Sequence, residues 1–457
     1  MAEPTIVPRS SHTISRRDID PGALKVLYRL HEHHYIAYLV GGSVRDLLLN
    51  RRPKDFDIGT SAHPHQVKKL FRNCWIIGRR FRLAHVKFGT QTIEVATFRR
   101  QVDSTELTAE AEIAEALEAG ADRPGADGSQ SSDAADEERT YAEDATPDHR
   151  RVSRANDRLI QRDNTYGTPE EDAFRRDFTV NALFYDIGTF SIIDYVGGLS
   201  DLDARLIRCI GDPSVRFLED PVRMLRAVVL AARLEFTIDQ PILDAMAVHR
   251  HEIARSAPAR LLEEYYKILR SGHAEQAMRQ LRATKLMKEI TPELAVAPDA
   301  LWRSIAALDR YRARFQSAPD SLTNAILAGT LLQPLGLATR QPRFSADALE
   351  RRIEIGMLPI ARRDIERLQH IISMQARLLD LNAPVRAQRN LLHRSSLDEA
   401  ITWLEIHGDR PDVVAHWRSL QSQGVPAPVQ EQAADHPFRA RRRRRGRRRS
   451  PFVAPQE

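Results

Sequence analysis

Short apolar runs alternate with helix-like stretches along the first hundred residues of the chain. The runs YIAYLV, FDIGT, WIIG, AHVKFG and TIEVATF have the apolar clustering of strands, whereas VRDLLLN and HQVKKLF have helical spacing. The strand pattern resumes after Asp163 and ends with SIIDYVGG. This alternation predicts an α/β domain with a mixed sheet. We place this head at residues 18–205, interrupted by an insert at about 103–160.

The second half of the chain has a different pattern. From Leu206 onward the strand signal disappears, and apolar residues recur at helical spacing, as in PVRMLRAVVLAARLEF and PARLLEEYYKILRSG. The pattern predicts an all-α region after the α/β head. We divide it into a neck at 206–275, a body at 276–430 and a tail at 431–457.

Two segments of opposite charge stand apart from these patterns. Thirteen acids and two arginines lie between Glu106 and Ala145, and nine arginines without an acid lie between Arg439 and Arg449. Neither segment has the apolar residues needed for a core, so we expect both to be disordered. A basic run of this density is either a solubilising tail or an arm that binds polyphosphate, and we favour nucleic acid.

Composition narrows the class of protein. The 457 residues are 42% hydrophobic and 28% charged, with a net charge of +6 and two cysteines, Cys74 and Cys209. This cysteine usage suits a reducing compartment. No stretch resembles a membrane helix or a secretory signal. We therefore expect a cytoplasmic globular protein that does not enter a membrane.

The first candidate chemical motif is LVGGSVRDLLL, in which an apolar strand runs through Gly41, Gly42 and Ser43 into a helix. Glycines permit a close backbone approach, and the start of a helix favours an anion such as phosphate. A turn of this kind also occurs as a plain connection. Its function therefore depends on what lies beside it.

Three acids in apolar strand-like segments form the second candidate. Asp55 and Asp57 lie two positions apart in KDFDIGT, so in a strand both carboxylates point to the same face. Hard oxygen ligands that repel each other suit Mg²⁺. Glu94 in TIEVATF completes this metal site if its strand lies beside the first, and is otherwise an acid at an exposed edge.

The order of four motifs points to a family. GGSVRD, DFD, RRDFTVNAL and EDPVRMLRA follow one another between residues 39 and 236, and this order resembles the class II nucleotidyltransferases. That family joins bacterial poly(A) polymerases with CCA-adding enzymes. The resemblance implies a polymerase-beta-like α/β head followed by an all-α neck and body. It also implies template-independent nucleotide addition to RNA 3′ ends, with two Mg²⁺ ions as cofactors and ATP as substrate.

The resemblance assigns roles to residues of the head. Asp55, Asp57 and Asp177 resemble the catalytic acids, and Asp55, Asp57 and Glu94 are the candidate metal ligands. Asp177 either touches metal or orients Arg176, so it competes with Glu94 as the third ligand. The other nucleotide-binding candidates of the head are Gly41, Gly42, Arg45, Arg175, Arg176 and Asn181. Asp177 and Asn181, four residues apart, are expected to share a helix face.

The segment FLEDPVRMLRAVV contains candidates for nucleotide choice. Asp220 before Pro221 is typical of a helix start, with Asp as the N-cap. Arg223 and Arg226 lie on the same side of that helix. A carboxylate that accepts and a guanidinium that donates can read the edge of adenine or cytosine and exclude guanine and uracil. This motif does not separate the two branches of the family.

Other features favour the poly(A) polymerase branch. The stretch LFRNCWIIGRRFRLAHVKFG resembles what that branch has after DFD, and no HD dipeptide is present. A basic tail suits an enzyme that holds unstructured 3′ ends, because phosphate contacts are independent of sequence. The RNA-binding candidates are therefore Arg79, Arg80, Arg82 and Arg441, Arg442, Arg443, Arg444, Arg445.

The resulting hypothesis is a monomeric polyadenylating enzyme that acts on RNA 3′ ends and marks RNA for decay, with RNA-decay proteins as partners. A CCA-adding tRNA nucleotidyltransferase is the first alternative. A non-catalytic RNA-binding protein that retains the fold is the second, although none of Asp55, Asp57 and Arg176 is lost.

Overall fold

A computed structural model of the protein describes residues 3–78, 82–89, 91–100, 165–338 and 354–422. Its N-terminal half is an α/β head built on an eight-stranded mixed sheet. The strands of this sheet are β1 (Thr5–Val7), β2 (Ala37–Val40), β3 (Asp57–Thr60), β4 (Cys74–Ile77), β5 (Leu83–Phe88), β6 (Gln91–Thr97), β7 (Leu183–Asp186) and β8 (Ser191–Asp194).

The strand order is β1-β8-β7-β2-β3-β6-β5-β4, and only the central pair of β3 with β6 is parallel among these neighbours. The connection from β3 to β6 runs through helix α3 (Pro64–Leu70) and the β4–β5 pair. Thr5–Val7 pairs with β8, so the sheet extends N-terminally beyond the predicted start at residue 18.

Helices cover one face of the sheet. The helix α1 (Pro21–Glu32) starts where the Asp20 carboxylate accepts hydrogen bonds from Gly22 N at 2.7 Å and Ala23 N at 3.1 Å. Its buried side chains Val26 and Leu27 join α3 and the inward-facing strand residues in the main core. This burial of an amphipathic face is what holds the helices on the sheet.

The opposite face is covered over only half of its width. A second, smaller core there includes Val40, Phe98, Phe184 and Ile193. One row of cross-strand neighbours lies along this face and crosses the whole sheet. In order from β1 to β4 the row contains Ile6, Ile193, Phe184, Val40, Asp57, Glu94, His85 and Trp75.

The character of this row changes at its centre. Ile193, Phe184 and Val40 are buried, whereas Asp57 and Glu94 are exposed. The sheet therefore has a polar, solvent-accessible area that begins at the first residue of β3.

The rest of the described chain is mainly helical. Helix α2 belongs to the head, α4 contributes Ala173 to the second core, and the later helices contribute to the main core. Their bounds are α2 (Gly42–Leu48), α4 (Pro169–Phe174), α5 (Gly198–Asp203), α6 (Pro213–Glu219), α7 (Val222–Leu234), α8 (Gln240–His249), α9 (Pro258–Arg270), α10 (Ala274–Ala283), α11 (Leu286–Ile290), α12 (Pro292–Ala295), α13 (Asp299–Arg312), α14 (Asn324–Leu332), α15 (Arg362–Leu379), α16 (Val385–Leu392), α17 (Leu397–His407) and α18 (Pro411–Ser422).

The predicted fold class, a mixed-sheet head followed by a helical region, is confirmed. The expectation that strands end at Leu206 is wrong in detail. Leu206–Ile207 (β9) pairs in parallel with Thr237–Ile238 (β10), and Glu354–Ile355 (β11) pairs with Leu358–Pro359 (β12). Strands of two residues are too short to produce a readable alternation. The acidic insert and the arginine tail lie outside the described residues, and the domain boundaries stay predictions.

Among the helices that the structure describes, none is both long enough and apolar enough to cross a membrane.

Gly198 provides a test of the packing that supports the site. A Cβ atom at this position would lie 2.3 Å from the carbonyl oxygen of Thr179, a backbone atom that cannot move freely. We expect Gly198→Ala to lower the free energy of unfolding by about 1–3 kcal/mol because the turn must shift. Chemical denaturation measures this loss. Ser200→Ala, at an exposed position of the same helix, is the control, and equal stability of both variants would contradict the prediction.

Candidate active site

The predicted acids lie on the exposed side of the sheet. The sequence analysis expected both Asp55 and Asp57 within a strand. In the structure β3 begins at Asp57, so Asp55 lies just before it. Phe56 and Ile58 are nevertheless buried, and both acids are exposed, so the alternation of the strand extends back to Asp55. The parallel register places Ile58 beside Val95, which brings Glu94 next to Asp57. The condition set for Glu94, a strand beside β3, is therefore met.

The electrostatics of Asp57 reflect this crowding. The surrounding protein removes water from its carboxylate, and Glu94 and Asp55 add like charge, which together raise the pKa of Asp57 to about 6 against the opposing effect of Arg176. The Glu94 carboxylate also lies 3.7 Å from His85 Nε2 on the neighbouring strand. A cation beside Asp57 would relieve the repulsion among the three acids.

The donor chemistry of these acids fits Mg²⁺. Carboxylate oxygens are its preferred protein ligands, and Mg²⁺ commonly uses one or two of them together with water and substrate phosphates. In the described part of the chain, no three His, Cys, Asp or Glu side chains form a ready-made metal cage. Asp55, Asp57 and Glu94 thus fit an open site that substrate completes, and their roles as ligands stay predictions.

The glycine turn lies next to the acids. Gly41 has φ +72°, a left-handed conformation that favours glycine, and it directly precedes α2. A Cβ atom on Gly41 would lie 2.9 Å from Arg176 Nη1, so the guanidinium of Arg176 packs against the turn. Arg176 Nη1 also donates to the carbonyl oxygen of Asn181 at 3.0 Å. The guanidinium of Arg176 is therefore part of the surface that the glycine turn forms.

Asp172, which the sequence analysis missed, holds both predicted arginines. Arg175 Nε donates to its Oδ1 at 2.8 Å, and Arg176 Nη2 donates to its Oδ2 at 2.9 Å. Burial alone would raise the pKa of Asp172, but Arg176 and Arg175 outweigh that effect and lower it. The orienting acid for Arg176 is thus Asp172 and not Asp177. The spacing of three and four residues on a helix was the available signal.

Arg45 lies beneath the turn and not on its surface. It is buried, and its Nη2 donates to Asp46 Oδ1 at 2.7 Å. Its Nη1 donates to Asn181 Oδ1. A Cβ atom on Gly42 would lie 3.3 Å from Arg45 Nη2, so the guanidinium supports the turn from the inside. The sequence analysis expected Arg45 to contact a triphosphate. Because its guanidinium lies beneath the turn, it would have to make that contact from the inner side of the turn.

Asp177 and Asn181 are in contact, but they do not share an α-helix face, which the sequence analysis predicted. Asn181 ends a short 3₁₀ turn (Thr179–Asn181), and Asp177 lies before it. Asn181 Nδ2 donates to Asp177 Oδ1 at 3.3 Å, while Arg226 Nη2 lies 2.7 Å from Asp177 Oδ2. Asp177 is therefore engaged by Arg226 of α7. Asp177 is thus buried and held by Asn181 and Arg226, in contrast to the exposed Asp57.

A second ion pair joins the same two parts of the molecule. Arg233 of α7 pairs with Asp46 of α2. Arg226 and Arg233 are seven residues apart, two turns of the helix, and so lie on one face of α7. The neck helix is thus tied to the head at both ends of that face.

The candidates for nucleotide choice each have a separate partner. Arg260 of α9 donates to Asp220 through two parallel hydrogen bonds, Nη1 to Oδ1 at 2.8 Å and Nη2 to Oδ2 at 2.7 Å. Arg223 Nη1 donates to Glu219 Oε2 at 2.9 Å. Arg260 and Glu219 were not predicted. The expected helix start at Asp220 is wrong by one residue, since Pro221 is the N-cap of α7 and Asp220 is the C-cap of α6.

Of the predicted RNA-binding residues, Arg82 is exposed at the start of β5. The others lie outside the described residues: Arg79, Arg80, Arg441, Arg442, Arg443, Arg444 and Arg445.

Two family models match segments of the chain. Residues 37–208 match the family described as poly A polymerase head domain, and residues 235–297 match the family described as probable RNA and SrmB-binding site of polymerase A. The chain belongs to the class II nucleotidyltransferases, the family of poly(A) polymerases and CCA-adding enzymes.

Relatives from both branches of this family match the chain. Poly(A) polymerase I of Salmonella typhi is 44% identical over 290 residues, which is 64% of this chain and 54% of the relative. A CCA-adding enzyme of Bacillus pumilus is 30% identical over 317 residues, 69% of this chain and 63% of the relative. The chain thus spans about half the length of the poly(A) polymerases that it matches.

A solved structure supports the fold. The Bacillus stearothermophilus CCA-adding enzyme in complex with CTP superposes with a TM-score of 0.57 at 23% identity, covering 89% of this chain and 83% of that one. At this identity the likeness establishes a shared nucleotidyltransferase fold.

The raised pKa of Asp57 leads to a prediction on stability and pH. Its folded-state pKa of about 6 exceeds the ordinary value of 3.8, so the folded state loses stability relative to the unfolded state as pH rises from about 4 to 6. We expect Asp57→Asn to raise the Tm of the metal-free protein above pH 6, by up to a few degrees. The gain should vanish near pH 4.

Thermal unfolding across this pH range, without divalent cations, measures the difference. Glu263→Gln is the control, because Glu263 is an exposed acid of α9 outside the predicted site. A Tm difference for Asp57→Asn that is the same at pH 4 and pH 8 would show that repulsion at Asp57 is not its cause.

Proposed function

We propose that the protein adds adenylate residues from ATP to RNA 3′ ends without a template and releases pyrophosphate. The observation that supports this most directly is the adjacency of the Asp57 and Glu94 carboxylates to the glycine turn on which Arg176 packs. An exposed acidic cluster beside an arginine-lined turn suits a polyphosphate bound through a divalent cation. Tails made in this way would mark RNA for decay.

The chain's own residues have distinct tasks in this proposal. Asp55 and Asp57, with Glu94, would hold Mg²⁺, which supplies charge neutralisation and activation of the attacking hydroxyl. Arg175 and Arg176 donate to the triphosphate, and Asp172 fixes the direction of both guanidiniums. The RNA 3′-hydroxyl then attacks the α-phosphorus, and the bond to the pyrophosphate leaving group breaks.

Asn181, supported by Arg45 and Asp177, lies where it would contact the ribose in this proposal. The ion pairs from Asp177 to Arg226 and from Asp46 to Arg233 hold the neck helix against this part of the head. Because Asp220 and Arg223 flank the start of that helix, the position of the base depends on the same contacts. Positioning of this kind contributes to rate without any chemical step at these residues.

The hydrogen-bonding capacity of Asp220 supports selection of a base with an exocyclic amino group. A carboxylate has about four lone-pair sites. Arg260 uses one on each oxygen, and Val222 N, at 3.3 Å, uses a second on Oδ1. One acceptor site on Oδ2 remains for the amino group of adenine or cytosine. Guanine and uracil present a carbonyl oxygen in the corresponding position and would be repelled.

CCA addition to tRNA is the second candidate function. The fold likeness to a CCA-adding enzyme favours it, and the Asp220 geometry admits CTP as well as ATP. The higher identity to poly(A) polymerase I, 44% against 30%, favours polyadenylation. A non-catalytic role has less support because the acids and the arginines are all in place.

The proposed activity is tested by incubating the purified protein with a generic single-stranded RNA, Mg²⁺ and each NTP separately. We expect long tails with ATP alone, and an Asp57→Ala variant that loses at least about a thousandfold in turnover because a charged ligand is removed. Asp412→Ala should behave as the unaltered protein. Addition limited to two C residues and one A on tRNA would support the CCA alternative, and full activity of Asp57→Ala would exclude this site.

Nucleotide choice gives a separate prediction. Asp220→Ala should reduce the preference for ATP over UTP by about tenfold, since the amino group of adenine loses an acceptor worth roughly 1–3 kcal/mol. Arg260→Lys should reduce it partly, because a lysine cannot form two parallel bonds to Asp220. Ratios of kcat/KM for the four NTPs measure the effect. Arg255→Lys, which alters an exposed arginine paired with Glu252, is the control.

A further inference from the structure

Beyond Asp57 and Glu94, the cross-strand row on the open face of the sheet continues to His85 and Trp75. Glu94 pairs with His85, and His85 pairs with Trp75. Directly paired residues of antiparallel strands lie on the same face, and the 3.7 Å approach of His85 to Glu94 confirms this for the first pair. Trp75 therefore lies on the same face as the candidate catalytic acids.

This outer part of the face is open to solvent. The alternate residues of the outer strands, Ala84, Val86, Ile93 and Val95, are buried in the main core on the opposite face. On the open face, Trp75 is 54% exposed and Ile77 is 50% exposed. Exposed large apolar side chains this close together on an edge strand usually mark a binding surface. We call the open face formed by His85, Lys87, Trp75 and Ile77 the outer shelf.

The charges around the outer shelf indicate what it binds. Lys87 is two positions from His85 and so shares its face, and Arg82 and Arg72 are exposed beside the two strands. Lys87 lies on the same face as the exposed Trp75 ring at the outer end, and Arg82 and Arg72 lie near the starts of β5 and β4, whereas the acids lie at the inner end. Cations together with an exposed aromatic ring are the combination that binds single-stranded nucleic acid, through phosphate contacts and base stacking.

The distance between the acids and Trp75 suits an RNA strand whose 3′ end lies at the acids. Asp57 and Trp75 are three inter-strand steps apart, and each step is about 4.8 Å, which gives roughly 14 Å. Stacked nucleotides advance about 3.4 Å each, so this distance corresponds to about four nucleotides. A base upstream of the 3′ end would thus reach Trp75 when the terminal hydroxyl lies at Asp57.

We propose that the outer shelf is a binding subsite for the single-stranded RNA upstream of the 3′ end, with Trp75 as the surface on which a base stacks. The proposal rests on the proposed function, because that function places the RNA 3′ end at Asp57. It adds a subsite in the head to the RNA-binding segments already considered, residues 235–297 and the arginine-rich run 439–449.

The tryptophans of the chain allow a direct test that does not depend on catalysis. Trp75 is exposed, whereas the other three, Trp302, Trp403 and Trp417, are at most 7% exposed. We expect a 3′-deoxy oligoadenylate of about eight nucleotides to quench the intrinsic fluorescence of the unaltered protein, because a stacked base lies on Trp75. Trp75→Phe should lose most of this quenching.

Ile76→Ala is the matched control for the fluorescence test. Ile76 is on the same strand but pairs with the buried Ala84, so it belongs to the opposite face. This variant should be quenched as the unaltered protein is. Quenching that persists in Trp75→Phe, or an unaltered protein that shows none, would overturn the proposal.

Primer length supplies a kinetic test. Trp75→Ala should raise the KM for an eight-nucleotide primer about tenfold with little change in kcat, and should leave the KM for a dinucleotide unchanged, because a dinucleotide does not reach the outer shelf. Trp75→Phe should restore most of the affinity for the longer primer. Equal KM values for the longer primer in Trp75→Ala and the unaltered protein would overturn the subsite.

The outcomes separate this proposal from the proposed function. Failure of the unaltered protein to extend any primer would refute the function, while quenching through Trp75 would still establish the RNA surface. Normal tailing by a Trp75→Ala variant with unaltered KM would refute the subsite alone. Sedimentation provides a further check. If it showed concentration-dependent dimers that Trp75→Ala abolishes, β4 would be an interface between two copies of the chain, and the proposal would be overturned.

Discussion

The parallel pairing of β3 with β6 is the constraint on which the rest of the site depends. It places Glu94 beside Asp57. The removal of water from the Asp57 carboxylate, together with repulsion from Glu94 and Asp55, raises the pKa of Asp57 to about 6. Parallel neighbours need a crossover connection, and here the crossover contains α3 and the β4–β5 pair. The connection that creates the acidic centre therefore also adds the outer strands with Trp75. A cluster of like charges is costly for a folded protein, which is the usual condition of a site that awaits a cation.

Buried carboxylates organise the cations around that centre. Asp172 directs Arg175 and Arg176, Asp46 binds Arg45 and Arg233, and Asp177 binds Arg226. Each guanidinium is held in a fixed direction by one of these carboxylates. The pairs of Asp46 with Arg233 and of Asp177 with Arg226 tie helix α7 to the head. In the proposed function, this joins the segment expected to select the base to the segment expected to bind phosphate, and fixed guanidinium directions suit preorganised binding of a polyphosphate.

The two halves of the cross-strand row differ in polarity and in exposure to solvent. Its first half is apolar, and Ile193, Phe184 and Val40 are buried in the second core, which packs β8, β7 and β2 together. Its second half is open, and it changes from acids at the centre to an aromatic ring and cations at the edge. In the two proposals, the nucleotide and the RNA strand bind to neighbouring parts of one continuous face. Asp220 and its partner Arg260 do not decide between tailing and CCA addition, because they accept either ATP or CTP in the proposed geometry.

The sequence by itself determined the class of the fold and the chemical character of the site. Alternation around Ile58 identified β3 and the exposed Asp57, and helical spacing identified the later helices, because both signals depend on neighbours within a few residues. The family motifs supplied the remaining candidates. Only the tertiary structure decided which groups meet. Arg260 is forty residues from Asp220, and Trp75 reaches the row of Asp57 through two intermediate strands, so no local pattern records either arrangement. Contacts between residues distant in the chain follow from strand order and helix packing, which the folded chain alone establishes.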